Sequence, residues 1–495
     1  MTPKKIIVIG SGFAGLSAAA MLAKEGHDVT LLEKNNHTGG RAAVWENKGF
    51  TFDMGPSWYW MPEVFEQWFQ YFGHKVSDFY ELQRLDPAYR IFFKSNRSMD
   101  VAADINMLTQ TFESIEKGSG QKLLEFLKDA ELKYHTAMSD YVGRVSDSVT
   151  EYMEPALILK SLRLNLFSSL SKQIRKKFKD PMLISLLEFP ALFLGSTPDK
   201  TPALYSMMNY ADLVKGTWFP KGGMGKIAKA FTDIALEQGV KIKLNTPVTA
   251  IETVNGKAAR VWSDNNCFEA DIVVAGSDYE HTEQQLLKPD ARHYSADYWN
   301  SRTLSPSALL FFVGIDTKLK GVLHHNLFFD EDFEPHAASI YNTPEWPDRP
   351  LFYLNVTSIT DNGTAPEGCE NLFFLIPLAP GLKDDENKRE HFFNLMSERL
   401  LAKTGIDIRK HIIVKRSYAM NDFKKDYNAF KGNAYGLANT LRQTAFLKPK
   451  MKSPGIKNLF FTGQLTVPGP GVPPAIISGR IVADEINRQV KKNIL

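Results

Sequence analysis

An α/β fold built on a nucleotide-binding unit is predicted by three features of the 495-residue chain. The first is the N-terminal order of strand (Ile6 to Ile9), Gly10-Ser11-Gly12-Phe13-Ala14-Gly15, Ala-rich helix, strand (Val29 to Leu32) and acid (Glu33). The second is a further glycine pair with an arginine, Gly39-Gly40-Arg41, just beyond that acid. The third lies at the other end, where an apolar strand stops at Gly463 and a Pro/Gly run leads into a terminal helix.

Each glycine of the first motif serves by lacking a side chain. Gly10 permits the tight turn off the strand, Gly12 lets main-chain N–H groups and the helix N-terminus approach a pyrophosphate, and Gly15 lets the helix lie close to the sheet. The helix is expected to stop at Gly26. Glu33, at the end of the second strand, is placed to accept hydrogen bonds from an adenosine ribose.

Gly39, Gly40 and Arg41 select the dinucleotide. A nicotinamide has no need of them, whereas an extended FAD needs a close backbone approach and a permanently charged planar fork for its diphosphate. Phe52-Asp53-Met54-Gly55-Pro56-Ser57 then forms a sharp turn that brings backbone toward an isoalloxazine ring, or a plain surface loop.

Composition limits the alternatives. The length calls for two or three domains. A formal charge of +3, without a clustered basic excess, gives no reason to expect nucleic acid. Only Cys267 and Cys369 occur, with no metal-type neighbours, so no disulfide framework or metal site is expected; both read as inert core thiols in a reducing cytoplasm. The N-terminal apolar run is cut by Gly10 and reads as a strand rather than a secretory signal. No stretch is long enough to cross a bilayer.

Farther along, residues 118–220 read as mainly helical. Leu123, Leu124, Phe126 and Leu127 open an amphipathic helix. Pro155 to Leu170 mixes apolar and basic residues and is followed by Arg175-Lys176-Lys177-Phe178-Lys179, a pattern that suits a headgroup layer or a core helix with one solvated face. Pro181 to Leu194 is apolar and aromatic, as the lining of a greasy cavity would be. Lys221 to Gly225 opens a helix to about Gly239, Lys241 to Leu244 reads as a strand, and Asn255-Gly256 turns a hairpin between Ile251–Val254 and Lys257–Trp262. Asp271 to Gly276 returns as a buried strand. Strands such as Ala308 to Gly314 and Leu372 to Leu378 suit a sheet that roofs the flavin. At the C-terminus Asn458 to Phe461 is a buried strand, and Val467 to Pro474 leads into a helix from about Ala475, whose N-terminus would stabilise negative charge on a reduced flavin.

Taken together, Gly10, Gly12, Gly15, Glu33, Gly39-Gly40-Arg41, Phe52 to Ser57 and the run from Asn458 to Gly479 resemble the bacterial phytoene desaturase family of FAD-dependent carotenoid oxidoreductases, distant relatives of amine oxidases. The resemblance implies a Rossmann-type FAD domain of the glutathione-reductase and amine-oxidase kind (residues 1–85, 221–285 and 445–495). Interwoven with it are a mixed-sheet substrate domain (86–117 and 286–444) and a helical lid or membrane-contact region (118–220). It places FAD against Gly10, Gly12, Ala14, Gly15, Glu33, Lys34, Gly40, Arg41, Gly55, Pro56, Ser57, Val248, Gly463, Gln464, Gly471, Val472 and Pro473.

The implied reaction is desaturation of an acyclic C40 polyene, phytoene first, with quinone or oxygen as electron acceptor, at the inner face of the cell membrane. Rival readings are desaturation of a later acyclic or hydroxylated carotene at its 3,4 position, redox-neutral isomerisation, a cofactor-free prenyl-binding protein and an amine oxidase. Gln464, Leu465 and Val467 depart from the small and polar residues usual in the family and bear, with the bulky Tyr59, Trp60 and Met61, on which carotene is handled. No catalytic base is named: His324 and His325 read as structural, and Asp140 and Glu188 have no support. None is needed if the proton lost lies beside a delocalised cation.

Overall fold

The computed structural model describes residues 2–146, 148, 151, 168–440 and 442–495. Its nucleotide-binding layer is a parallel five-stranded sheet in the spatial order Leu459–Phe461, Ile272–Ala275, Lys5–Ile9, Asp28–Leu32 and Lys241–Lys243. The central strand is apolar because it is covered on both faces. Both ends of the chain thus enter one sheet, flanked by helix Phe13–Lys24, helix Gly225–Glu237 and the C-terminal helix Val472–Lys491.

The C-terminal helix starts at Val472, earlier than the expected Ala475, because Pro473 and Pro474 occupy its first turn, where a missing N–H costs nothing. The Asn255-Gly256 hairpin forms, with φ of 52° and 71° at its two turn residues, and belongs to a separate three-stranded sheet.

Above this layer stands a mixed seven-stranded sheet, ordered Ile412–Tyr418, Ser307–Ile315, Glu370–Leu378, Phe352–Asn355, His325–Phe329, Tyr89–Phe93 and Ser98–Val101. Ser307–Ile315 is buried along its whole length, between the cavity on one face and a core of Phe352, Phe374, Phe393 and Leu400 on the other. The helical segment includes Ser119–Thr136, Leu170–Lys177, Pro181–Glu188 and Met207–Leu213. Residues 155–167 of the apolar and basic stretch lie outside the described residues. In the basic run that follows, Arg175 donates to both oxygens of Glu188 at 2.9 and 3.0 Å, and Lys177 lies 3.5 Å from Glu125. No helix among the described residues is long and apolar enough to cross a membrane.

Cys369 is buried as expected, but Cys267 is exposed, because its strand, Asn266–Glu269, is an edge of the small sheet. Tyr59 does not join Trp60 and Met61 at the cavity; it faces the protein interior, where its hydroxyl meets that of Tyr80 at 3.1 Å.

Candidate functional site

A cavity of about 730 Å³ runs from the N-terminal motif, beneath the seven-stranded sheet, into the helical segment. All the residues expected at the cofactor line it except Gly15. Gly15 acts from behind: a Cβ there would stand 2.0 Å from the Gly10 carbonyl oxygen, so only glycine lets the helix start against the strand. A Cβ on Gly12, by contrast, would meet nothing within 4 Å, which leaves open space over the backbone at the start of helix Phe13–Lys24.

At this end of the cavity the charged groups are already oriented. Glu33 is buried, and its carboxylate accepts from the Ser11 N–H (2.8 Å), the Ser11 hydroxyl (2.7 Å) and the Asn35 N–H (2.9 Å). Two of these donors come from the glycine-rich turn, so Glu33 braces that turn as well as facing the cavity. Arg41 is held by a long contact to the Asn433 carbonyl oxygen (3.4 Å) and by the face of Tyr427, 5.1 Å from its guanidinium carbon. Its Nε is buried with no partner among the described residues. Burial lowers the Arg41 pKa, and Asp278 opposes the shift. A buried fork with an idle donor, beside uncovered backbone at a helix start, fits the diphosphate of a dinucleotide.

Several groups that shape the site have partners the sequence does not reveal. Asp278 follows the strand Ile272–Ala275 and accepts from the N–H groups of His281 and Phe430, both at 3.2 Å; burial raises its pKa. Asp53 lies just before the Gly55-Pro56-Ser57 turn and accepts from the N–H groups of Met224 (2.7 Å) and Gly225 (2.9 Å), tying that turn to the start of helix Gly225–Glu237. Burial pushes its carboxyl up to about 6. Only the folded chain brings Asp53 and Met224 together.

The far part of the cavity is apolar and aromatic, lined by Trp58, Phe189, Leu192, Met208, Leu310, Leu327 and Phe329. Trp60 is fixed by a buried chain: its Nε1 donates to the Thr217 hydroxyl (2.8 Å), Thr217 donates to Asp212 (3.2 Å), and Tyr89 donates to the same carboxylate (2.6 Å). Burial raises Asp212 to about 7. Among the described residues the carboxylates lining the cavity, Glu33, Asp278 and Asp426, all lie at the Arg41 end.

His324 and His325 are both fully enclosed. His324 Nδ1 meets the Thr360 hydroxyl at 2.7 Å, and burial lowers its pKa to about 3. His325 stacks on Trp58, with ring centres 4.2 Å apart, and meets the Tyr353 hydroxyl at 2.6 Å. Glu188 is engaged by Arg175 and does not line the cavity.

The comparisons agree with this geometry. The family model for flavin containing amine oxidoreductases matches residues 13–487. A carotenoid 3,4-desaturase from Haloarcula japonica is 39% identical over 98% of this chain and 98% of its own. A zeta-carotene-forming phytoene desaturase from Myxococcus xanthus is 31% identical over 98% of this chain and 94% of its own. The fold is also that of cyclohexylamine oxidase from Brevibacterium oxydans, at a TM-score of 0.60 and 13% identity, covering 99% of this chain and 100% of that one. The chain belongs to the flavin containing amine oxidoreductases, in their carotenoid desaturase branch, and is an FAD-dependent oxidoreductase.

Proposed function

We propose that the protein introduces a C=C bond into an acyclic carotenoid, most simply the bond at the 3,4 position. The observation that carries this reading is a cavity that joins a dinucleotide cradle to a long apolar arm, with the lining acids among the described residues confined to the cradle. An amine substrate would need anionic or polar capture beside the reacting carbon, whereas a polyene needs only shape and apolar contact. The 3,4 position is preferred over phytoene because the 3,4-desaturase shares 39% of residues against 31% for the phytoene desaturase.

FAD, when bound, supplies a hydride acceptor. The chain's own residues do the rest. The Gly12 backbone and Arg41 hold the diphosphate, Glu33 faces the ribose, and Gly55, Pro56, Ser57, Val248, Gly463, Gln464, Gly471, Val472 and Pro473 enclose the cofactor. Trp58, Phe189, Leu310 and Phe329 align the polyene and exclude water, so that catalysis rests largely on orientation.

The substrate is insoluble in water, which supports collection from a membrane surface, with a quinone or oxygen reoxidising the flavin. Since Arg175 and Lys177 already have acidic partners, the contact surface is expected to include apolar side chains and not the basic run alone.

Separate incubation of the FAD-loaded protein with phytoene and with acyclic carotenes saturated at the 3,4 bond tests the function. A red shift in product absorption, with loss of two hydrogens by mass, is expected with the latter. A product of unchanged mass indicates isomerisation, and conversion of phytoene alone moves the reaction to the earlier step. Co-sedimentation with liposomes, compared between the parent and a chain lacking residues 175–179, tests membrane contact.

A further inference from the structure

A chain of hydrogen bonds leads from the cavity wall into the seven-stranded sheet. Ser57 and Tyr353 both line the cavity. The Tyr353 hydroxyl lies 2.6 Å from Nδ1 of His325, and the Asn355 amide nitrogen lies 3.3 Å from the same atom. An amide N–H can only donate, so Nδ1 is a bare acceptor and the ring hydrogen sits on Nε2. Nε2 itself is buried with no partner among the described residues. Trp58, stacked on the imidazole with planes 9° apart, fixes the ring from the cavity side.

His336 satisfies both nitrogens, with Nε2 on the Pro377 carbonyl (2.8 Å) and Nδ1 accepting from the Leu351 N–H (3.0 Å), whereas His324, like His325, leaves Nε2 without a partner among the described residues and meets only the Thr360 hydroxyl, through Nδ1. His325 instead turns its one accepting atom toward a hydroxyl at the cavity wall.

We propose that Tyr353, backed by His325, takes the proton that the substrate loses in desaturation. The inference rests on the desaturase reading above. One carbon gives up its hydrogen, with both C–H electrons, to FAD. The neighbouring carbon then releases a proton to the Tyr353 oxygen, and its C–H electron pair becomes the new π bond. In concert the Tyr353 proton moves to Nδ1 of His325. After the product leaves, the proton returns along the same bonds to water at the cavity wall.

Burial and the adjacent His324 hold the His325 pKa well below its ordinary value, so the resting ring is neutral. It is a weak base, which suffices here, because a C–H beside a delocalised carbocation is far more acidic than an imidazolium. Tyr353 is the catalytic residue of the pair, and His325 positions it and receives its proton.

The test uses FAD-loaded parent, Tyr353→Phe and His325→Asn proteins, with anaerobic single-turnover formation of the new C=C bond read from the polyene absorption in H2O and D2O. Each variant is expected to retain FAD and to form the desaturated product on the order of a hundred-fold more slowly, with the parent's solvent isotope effect lost. Variants that match the parent in rate and isotope effect overturn the relay while leaving the desaturase reading intact. A parent that desaturates no carotene overturns both. Nitrogen-15 spectra of the histidines in the parent give a readout free of turnover: the Nε2–H tautomer of His325 is expected, and a proton on Nδ1 overturns the proposal.

Discussion

Gly479 of the C-terminal helix lies against Ala14 of the N-terminal helix so closely that a Cβ on Gly479 would stand 2.4 Å from the Ala14 carbonyl oxygen. The same place would bring it 2.8 Å from Cβ of Ser17, whose hydroxyl donates to the Ile476 carbonyl at 3.1 Å. Two helices from opposite ends of the chain are thereby locked at a separation that only glycine permits. Because both helices begin at the cavity, their spacing sets the width of the cradle. Gly479→Ala is expected to force the backbones apart, at a cost of about 1 to 3 kcal/mol. Lower thermal stability together with weaker FAD retention is the expected result; FAD release without any loss of stability would point instead to a direct cofactor contact.

Glu33 offers a second handle on the cradle. Its carboxylate holds both the N–H and the hydroxyl of Ser11, so removing it leaves a buried main-chain donor of the glycine-rich turn unpaired. Glu33→Ala is expected to cost about 1.5 to 3 kcal/mol, shared between stability and FAD affinity. Glu33→Gln keeps one acceptor oxygen and should lose less of both. Equilibrium dialysis of FAD and thermal melts of the two variants measure the split.

Much of this site is legible in the sequence where function depends on local chain geometry. The turn from Gly10 to Gly15 and the Gly39-Gly40-Arg41 run announce themselves because an anion at a helix start needs particular residues at short spacing. The same holds for the Asn255-Gly256 hairpin, since positive φ at adjacent positions restricts the residue choice. What is not legible depends on distant pairings. Asp53 caps the helix near Met224, Asp278 faces Arg41, and Thr217 links Trp60 to Asp212, each across separations that leave no pattern in the chain. Tyr59 illustrates the limit on a smaller scale: its neighbour Trp60 lines the cavity, whereas Tyr59 turns into the core, and residue type alone does not distinguish them.

The outer strand of the seven-stranded sheet is fastened by one cation. Arg389 is buried and pairs with Asp384 (2.5 Å) and Asp422 (2.9 Å) while donating to Ser417 at 3.0 Å. Burial alone would raise Asp384, but the guanidinium and the Asn421 N–H outweigh it and hold its pKa below the usual value. A carboxylate with a depressed folded-state pKa stabilises the fold above its unfolded pKa, and that contribution fades as pH falls through the folded value. Acid titration of stability should therefore show Asp384→Asn converging on the parent at low pH. Arg389→Met, which strands Asp384 at neutral pH, is expected to cost about 3 to 5 kcal/mol and to be rescued in part by adding Asp384→Asn.

Lys448 is the opposite case, a cation with nothing to pair with. It is 3% exposed, and its ammonium has no partner among the described residues. Its nearest structural neighbours include Gly469 and Asn439: a Cβ built on Gly469 would lie 2.8 Å from Nζ and 3.1 Å from the Asn439 amide atoms. Burial lowers its pKa from 10.5 to about 7. Because the folded state binds this proton more weakly than the unfolded chain does, the group destabilises the fold. The penalty is full below about pH 7 and disappears as pH rises toward the unfolded value of 10.5. A shift of that size corresponds to a penalty on the order of 5 kcal/mol at the acid end. Lys448→Met removes it while conserving shape, so the FAD-free variant should melt well above the FAD-free parent in mildly acidic buffer, with the gap closing in alkaline buffer. A gap that stays constant across that range would mean that Lys448 is neutral or paired throughout.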